Sequence, residues 1–195
     1  MTSTRISKKN DIEQAAMLLF AQNGMDGTTI KEIAKLAGVT EGAIYRHYAS
    51  KEEMAKVLFN RELDNLKRWL SDSMAAGLDP KDRLKAIVDL LYSAYRETPW
   101  PFLFVILNFQ NLQVYAAGGD NRHIYDFIID FTRNLFSSET VDRDYEFLAT
   151  LVVGVIMQPV IFHFHKKLPK HPVEYVNEVT ESCCQLLRLE NNPYQ

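Results

Sequence analysis

The chain has 195 residues, of which 47% are apolar and 24% charged, a composition typical of a globular protein with a substantial core. The formal net charge of −3 excludes a wholly basic nucleic-acid binder. The two cysteines are adjacent, so we predict no disulfide framework and expect a reducing, cytoplasmic location. The N-terminus is polar, and the apolar stretch over residues 147–164 is interrupted by polar residues, glycine and proline, so we expect neither a signal peptide nor a membrane span.

Apolar residues recur at helical spacing along the chain without strict alternation, which predicts an all-α fold of about nine helices. The first helix is predicted to end at Gly24. A capping box that begins with Thr29 opens a short second helix, and Gly38 ends it because glycine tolerates the left-handed conformation of a tight turn. Thr40 caps a third short helix, which we expect to run through Tyr48.

A longer fourth helix is predicted to open at a second capping box, formed by Ser50 and Glu53. Helical patterning continues beyond it, with breaks at proline and glycine that separate the later helices. We therefore divide the chain into a helix-turn-helix head over residues 1–50, a connecting helix over residues 51–76 and a helical body over residues 77–195.

The short helices within residues 10–48 are the strongest functional signal. Two short helices joined by a glycine-containing turn are the arrangement that places the second helix in the major groove of DNA. A small three-helix bundle with no link to DNA has the same spacing, so the pattern alone leaves both interpretations open.

Particular residues in this region resemble the DNA-binding head of the tetracycline-repressor family of transcriptional regulators. The resemblance is carried by Ile12, Ala15, Ala16, Leu19, Phe20, Gly24, Thr28, Thr29, Ile33, Ala34, Ala37, Gly38, Val39, Thr40, Gly42, Tyr45, His47, Tyr48 and Lys51. Tyr48 departs from the pattern, since the family more often has phenylalanine there. The resemblance implies a homodimer that binds double-stranded DNA through this head, and a body that holds a small-molecule effector and the dimer interface.

The chemistry of the residues at the second, third and fourth helices, with the resemblance for Tyr45, His47 and Lys51, gives a set of candidate DNA contacts. They are Thr29, Thr40, Glu41, Gly42, Ala43, Tyr45, Arg46, His47 and Lys51. The hydroxyls of Thr29 and Thr40 lie at helix starts, where a phosphate is favoured and where plain capping is the competing role. Tyr45 is assigned to the DNA backbone, with core filling as the alternative. Arg46 reads a guanine edge, holds a phosphate or is a solvated charge.

Basic residues also precede the apolar face of the first helix. Arg5, Lys8 and Lys9 are consistent with an arm that seeks the minor groove or a phosphate, and equally with a disordered tail. The first sixty residues hold eight basic against seven acidic side chains, so charge alone does not predict DNA binding.

The body carries weaker signals. Together with the resemblance, an apolar stripe on the long helix predicts a four-helix dimer interface. Core packing within one chain would give the same pattern. The stripe comprises Leu148, Leu151, Val152, Val155, Ile156 and Val160. Candidate ligand-binding aromatics, each also suited to a core, are Trp100, Phe104, Phe109, Phe127 and Phe131. His163 and His165 point about 200° apart on a helix, so we predict no metal site and no cofactor.

These observations together predict a repressor that a small apolar or aromatic ligand releases from a palindromic operator. The alternative is a DNA-binding regulator without an inducer, controlled by a protein partner or by abundance. We expect no enzymatic activity, since the sequence offers no Ser-His-Asp arrangement, glycine-rich phosphate loop or metal-ligand spacing.

Overall fold

A computed structural model of the protein describes residues 2–74, 78–112, 124–136 and 143–189. Within these ranges the chain forms nine α-helices and one short 3₁₀ helix, and no strand. The helices are α1 (Thr2–Asn23), α2 (Ile30–Leu36), α3 (Glu41–Tyr45), α4 (Lys51–Met74), α5 (Pro80–Glu97), α6 (Pro99–Leu112), α7 (Ile124–Asn134), α8 (Tyr145–Phe164) and α9 (Val176–Leu187). The 3₁₀ helix, Pro172–Tyr175, lies between α8 and α9. The prediction of an all-α fold is confirmed.

The first helices end where the capping residues of the sequence indicate. The Thr29 hydroxyl accepts a hydrogen bond from the Glu32 N–H, and the Glu32 carboxylate accepts one from the Thr29 N–H at 2.8 Å, which completes the predicted capping box. Gly24 and Gly38 have φ angles of +73° and +64°, the left-handed conformation that ends α1 and turns the chain after α2.

The third helix is shorter than predicted. α3 ends at Tyr45 instead of continuing through Tyr48, because the chain turns there and buries the Tyr48 ring in the core. At the start of α4, the Ser50 hydroxyl accepts a hydrogen bond from the Glu53 N–H at 3.0 Å, as predicted. The return bond differs, since the Glu53 carboxylate accepts its hydrogen bond from the Ala49 N–H.

The chain folds as two compact units that are not continuous in sequence. The first contains residues 1–66 and 98–121, and the second contains residues 67–97 and 122–195. Helix α6 therefore belongs to the same unit as α1, α2 and α3, where α1 is its main neighbour. The linear division at residues 50 and 76 did not anticipate this grouping.

An aromatic core holds α6 inside the first unit. Phe20, Phe59 and Phe104 are fully buried, and the Phe104 ring centroid lies 5.6 Å from that of Phe20 and 6.3 Å from that of Phe59. Asn108, only 3% exposed, adds a polar link, since its amide donates to the backbone carbonyls of Phe20 at 3.3 Å and Phe104 at 3.1 Å. Apolar contacts and hydrogen bonds thus fix α6 to the end of α1.

The second unit packs α5 and α8 around α9. The buried Tyr92 hydroxyl donates to the Ile156 carbonyl at 2.8 Å, which joins α5 to α8. Burial raises the pKa of the Cys183 thiol to about 12, and burial also raises the pKa of Cys184. Both thiols are therefore protonated at neutral pH, which makes them weak nucleophiles and poor metal ligands.

Helix α8 is long and apolar enough to cross a membrane by length and composition alone, a test that core helices of soluble proteins also pass. Only 22% of its most apolar stretch is buried within the chain. Three members of the predicted interface stripe are buried in the core of this unit: Val152, Ile156 and Val160. For these three residues the alternative, core packing within one chain, is correct. The exposed stripe of α8 is formed by Phe147 and Phe162, which are 58% and 53% exposed, together with the half-buried Leu151 and Val155, two members of the predicted stripe.

Candidate nucleic-acid interface

Helix α3 presents the candidate DNA-binding side chains on an open surface. Those exposed are Thr40, Glu41, Gly42, Tyr45, Arg46 and His47, and Ala43 is half-buried. Ile44 points the other way and is fully buried, so it anchors α3 to the core. The Tyr45 side chain is 53% exposed, which excludes the alternative that it fills the core. The arrangement is that of a short helix held from behind with one face free to meet a partner.

Both threonines at the helix starts are caps, as predicted. The Thr40 hydroxyl accepts a hydrogen bond from the Ala43 N–H at 3.3 Å, and the Thr29 hydroxyl donates to the Glu32 carboxylate at 2.8 Å. The side-chain and backbone hydrogen bonds from Thr29 hold the pKa of Glu32 below its usual value, so a negative charge stays beside this hydroxyl. A phosphate contact is therefore less favourable at Thr29 than at Thr40, and for both it remains a prediction.

Lys51 has a structural role that the sequence did not reveal. Its ammonium group donates to the backbone carbonyls of Met25 at 2.7 Å and Thr28 at 2.9 Å, and so fixes the loop between α1 and α2 to the start of α4. An ammonium group has three N–H donors, of which these bonds use two. The predicted phosphate contact by Lys51 would depend on the third donor and remains a prediction.

A buried carboxylate joins α1, the segment after α3, and α4. Glu13 is 5% exposed and accepts hydrogen bonds from the Tyr48 hydroxyl at 2.6 Å and from the Arg61 guanidinium at 2.5 Å, with Lys9 at 3.6 Å. Burial would raise the pKa of Glu13, but the hydrogen bonds from Tyr48 and Arg61 outweigh it and hold the pKa below its usual value. The hydroxyl that distinguishes Tyr48 from phenylalanine therefore has a partner. The sequence did not reveal that Glu13 and Arg61 interact. Tyr48, at a position where phenylalanine is more common, was a signal that its hydroxyl has a partner.

The part of the chain that contains these elements has recognisable relatives. Residues 12–58 match the family model described as bacterial regulatory proteins, tetR family. Over these 47 residues the chain is therefore similar to the DNA-binding domain of the tetR family. The HTH-type transcriptional repressor KstR2 of Rhodococcus jostii (strain RHA1) is 34% identical over 93 residues, which are 48% of this chain and 46% of that protein. The chain therefore spans about half the length of the curated relatives that it matches.

Solved structures of tetR-like regulators resemble the fold over most of its length. A TetR-like transcriptional regulator from Rhodococcus sp. RHA1 has a TM-score of 0.75 at 20% identity and covers 94% of this chain and 97% of its own. FadR from Bacillus subtilis, solved in complex with stearoyl-CoA, has a TM-score of 0.69 at 18% identity, with 90% and 97% covered. At sequence identities of 18–20%, this structural similarity shows that the chain has the same fold as these regulators.

The predicted ligand-binding aromatics are divided between the two units. Phe104 is buried in the core of the first unit, and Trp100, on the same helix, is half-buried. Phe127 is half-buried and Phe131 is buried, both on α7 in the second unit. The Phe109 side chain lies outside the described residues. A ligand-binding role for these five residues remains a prediction.

The second unit has an apolar recess of about 420 Å³ between α8 and α9. Its lining residues are Val155, Gln158, Pro159, Phe162, Leu168, Tyr175, Glu178, Val179 and Ser182. Val155 and Phe162 also belong to the exposed stripe of α8, so the recess and the stripe form one surface. An apolar surface of this kind is unusual on a monomeric protein and typical of a protein-protein contact.

A polar cluster lies where α5 and α8 end. The Tyr95 hydroxyl is 2.8 Å from Nδ1 of His163, the Tyr95 ring stacks on His171 at 5.1 Å, and the two imidazoles meet edge to face at 4.9 Å. Nδ1 of His171 accepts a hydrogen bond from the Val173 N–H at 3.3 Å and so caps the 3₁₀ helix. His165 is exposed. Among the described residues no group of three or more side chains could hold a metal ion.

We expect the stability of the protein to fall in mild acid because of His171. Burial, followed by electrostatic interactions with His163 and Arg96, lowers the pKa of His171, so the folded state favours its neutral form. Protonation of Nδ1 would also remove the acceptor that caps Val173. The contribution of neutral His171 to the free energy of unfolding is complete above pH about 6.5, the pKa of histidine in the unfolded chain, and is lost as the pH falls below that value.

Thermal melts across this pH range test the expectation. His171→Asn retains a capping oxygen but does not titrate, so its melting temperature should fall less between neutral and acid pH than that of the natural protein. His165→Asn, which replaces an exposed histidine of the same unit, is the matched control. Identical pH profiles for His171→Asn and the natural protein would contradict the assignment.

Proposed function

We propose that the protein is a dimeric transcriptional repressor that binds a palindromic operator and is released from it by a small apolar or aromatic molecule. The exposed face of α3, anchored by Ile44 within the residues that match the tetR family, carries this proposal. KstR2 of Rhodococcus jostii, which is 34% identical to this chain over 93 residues, is a transcriptional repressor.

The chemistry of α3 suits DNA. Arg46 can donate two parallel hydrogen bonds to a guanine edge or a phosphate, and Tyr45 and His47 can donate to phosphate oxygens. Gly42 leaves the helix surface open, since a side-chain carbon there would meet only the Thr40 hydroxyl, at 4.0 Å. The backbone of α3 can therefore approach the floor of a major groove closely.

The exposed surface of α8 supports a dimer. One helix-turn-helix head reads only a few base pairs, so regulators of this type pair two heads on two half-sites. A second copy that covers the stripe around Phe147 and Phe162 would remove the largest exposed apolar side chains of α8 from water. Such a contact between identical helices is symmetric, which is the symmetry that a palindromic operator requires.

The ligand part of the proposal is supported by α6. Because Asn108 and Phe104 fix α6 to α1, a molecule that displaces α6 also displaces the helix that braces α3. FadR of Bacillus subtilis, which has a similar fold, was solved with stearoyl-CoA bound. Long-chain acyl groups are therefore the first apolar ligands to test on this protein, both as free fatty acids and as acyl-CoA thioesters.

Selection from random duplex DNA tests the proposal. The purified full-length protein should retain a near-palindrome whose half-sites lie a whole number of helical turns apart. Its affinity, measured by fluorescence anisotropy, should fall about 10³–10⁵-fold between roughly 50 and 200 mM salt if six to ten phosphates are contacted. Equal affinity for the selected and a scrambled duplex at the same salt would refute the proposal.

Effector release is measured on the same complex. If an effector lowers the affinity of the protein for the operator, the operator must lower the affinity of the protein for the effector by the same factor, typically about 5–150-fold. If acyl-CoA thioesters and a wider set of apolar compounds all leave the complex intact, the result favours the alternative function, a DNA-binding regulator that has no small-molecule inducer.

A further inference from the structure

The first unit has a recess of about 580 Å³ between α1 and α3. It is lined by Lys8, Ile12, Gly38, Val39, Thr40, Ala43, Arg46 and His47. Among the described residues, the lining contains a lysine, an arginine and a histidine, and no acidic side chain. Most of the other lining side chains are small or apolar, so the basic groups dominate the electrostatics of the recess. A lining of this kind favours an anion.

The two permanent cations of the recess, Lys8 and Arg46, have no partner among the described side chains. In the part of the chain whose side chains the structure describes, neither Lys8 nor Arg46 forms an ion pair or a side-chain hydrogen bond. Two neighbouring cations are occupied: Lys9 lies 3.6 Å from the Glu13 carboxylate, and Lys51 donates to two carbonyls. Lys8 and Arg46 therefore retain their full capacity to bind a negatively charged group.

Lys8 is held by a helix and is not part of a loose tail. Helix α1 begins at Thr2, and Lys8 lies one turn before Ile12 on the same face. Ile12 is 1% exposed, so this turn of α1 is packed against the core beside the recess. The backbone of Lys8 is therefore positioned before any ligand binds, which reduces the entropy lost on binding.

We propose that Lys8 binds a DNA backbone phosphate in this recess together with Arg46 and His47, so that α1 is part of the DNA interface. The proposal rests on the DNA binding proposed above and adds a phosphate site to it. The recess opens beside α3, and a helix that enters a major groove has sugar-phosphate backbone on both sides. A phosphodiester is therefore the anion that reaches it, although a free phosphate ion shares the same chemistry.

The salt dependence of DNA binding by matched variants of the full-length protein tests this site. Lys8→Gln should lower the affinity for the selected duplex and for the scrambled duplex by the same factor, because a phosphate contact carries no sequence information. The slope of log affinity against log salt should become shallower by about 0.9, the loss of one phosphate contact. Lys9→Gln, one residue away, should keep the natural slope. A natural slope for Lys8→Gln would overturn the proposal.

A double variant tests whether the cations share one phosphate. If Lys8 and Arg46 bind the same group, the fold-loss of Lys8→Gln combined with Arg46→Gln should be smaller than the product of the two single losses. A loss equal to that product would overturn the shared site. Lys8 is exposed and forms no ion pair with a described residue, so Lys8→Gln should have the melting temperature of the natural protein, which separates a lost contact from a lost fold.

Two further comparisons separate the remaining outcomes. Inorganic phosphate added without DNA should leave the backbone amide signals of Lys8 and Arg46 unshifted, whereas saturable shifts that Lys8→Gln abolishes would reassign the recess to a free anion. A natural protein with no preference for any duplex and a flat salt dependence would defeat the proposed function itself. A natural protein with a steep slope, unchanged in Lys8→Gln, would defeat only the α1 site.

Discussion

Replacing Phe104 by alanine is expected to lower the free energy of unfolding by about 3–5 kcal/mol. Phe104 is fully buried, and its ring packs against Phe20 of α1 and Phe59 of α4. The truncated side chain would leave a cavity where three helices meet, and neighbouring rings can fill it only in part. Urea unfolding followed by circular dichroism gives the difference from the shift of the midpoint.

A larger substitution at the same position decides whether Phe104 belongs to the core or to a ligand cavity. Phe104→Trp should overpack the core and cost about 1–3 kcal/mol, with effector release unchanged in the molecules that fold. Phe131→Trp on α7 is the matched comparison in the second unit, since Phe131 is buried as well. If Phe104→Trp keeps its stability and instead loses effector release, Phe104 faces the ligand.

Local features of this chain could be predicted from the sequence because their causes are local. Thr29 and Thr40 cap helices through N–H groups three residues away, and Gly24 and Gly38 adopt the left-handed turns that only glycine adopts readily. The exposure of the candidate residues on α3 follows from the same periodicity, since buried Ile44 fixes which face points outward.

Features that depend on distant residues could not be predicted. The Lys51 ammonium meets carbonyls that lie 26 and 23 residues earlier in the chain, and no spacing rule marks such a contact. Asn108 of α6 reaches the Phe20 carbonyl across 88 residues. Helix α8 is apolar on opposite faces, so its periodicity could not separate the core residue Val152 from the exposed Phe147.

Removal of the Glu13 carboxylate is expected to be the most damaging polar change in the first unit. Glu13→Leu would leave the buried Tyr48 hydroxyl without its acceptor and break the bond to Arg61, at a cost of about 2–4 kcal/mol. The cost stays below that of a fully buried pair because the Arg61 side chain is 42% exposed and can be hydrated. DNA affinity should fall as well, since Tyr48 directly follows the candidate contacts Arg46 and His47.

The pH dependence of stability gives an independent measurement. Because the hydrogen bonds from Tyr48 and Arg61 hold the pKa of Glu13 below its usual value, its contribution is complete above the unfolded pKa of about 4.3 and is lost as the pH falls below it. The natural protein should therefore lose more stability than Glu13→Leu over that acid range. Equal losses would show that the carboxylate is not stabilising in its ionised form.

The decisive comparison removes both partners of the buried hydrogen bond. Tyr48→Phe alone should cost about 1 kcal/mol, because the carboxylate keeps Arg61 while it loses one donor. Combined with Glu13→Leu, the same substitution should restore stability, since the hydroxyl that would be buried without an acceptor is no longer present. Urea unfolding of the natural protein, the two single variants and the double variant measures the coupling. A double variant less stable than Glu13→Leu alone would show that Tyr48 contributes through its other contacts and not through Glu13.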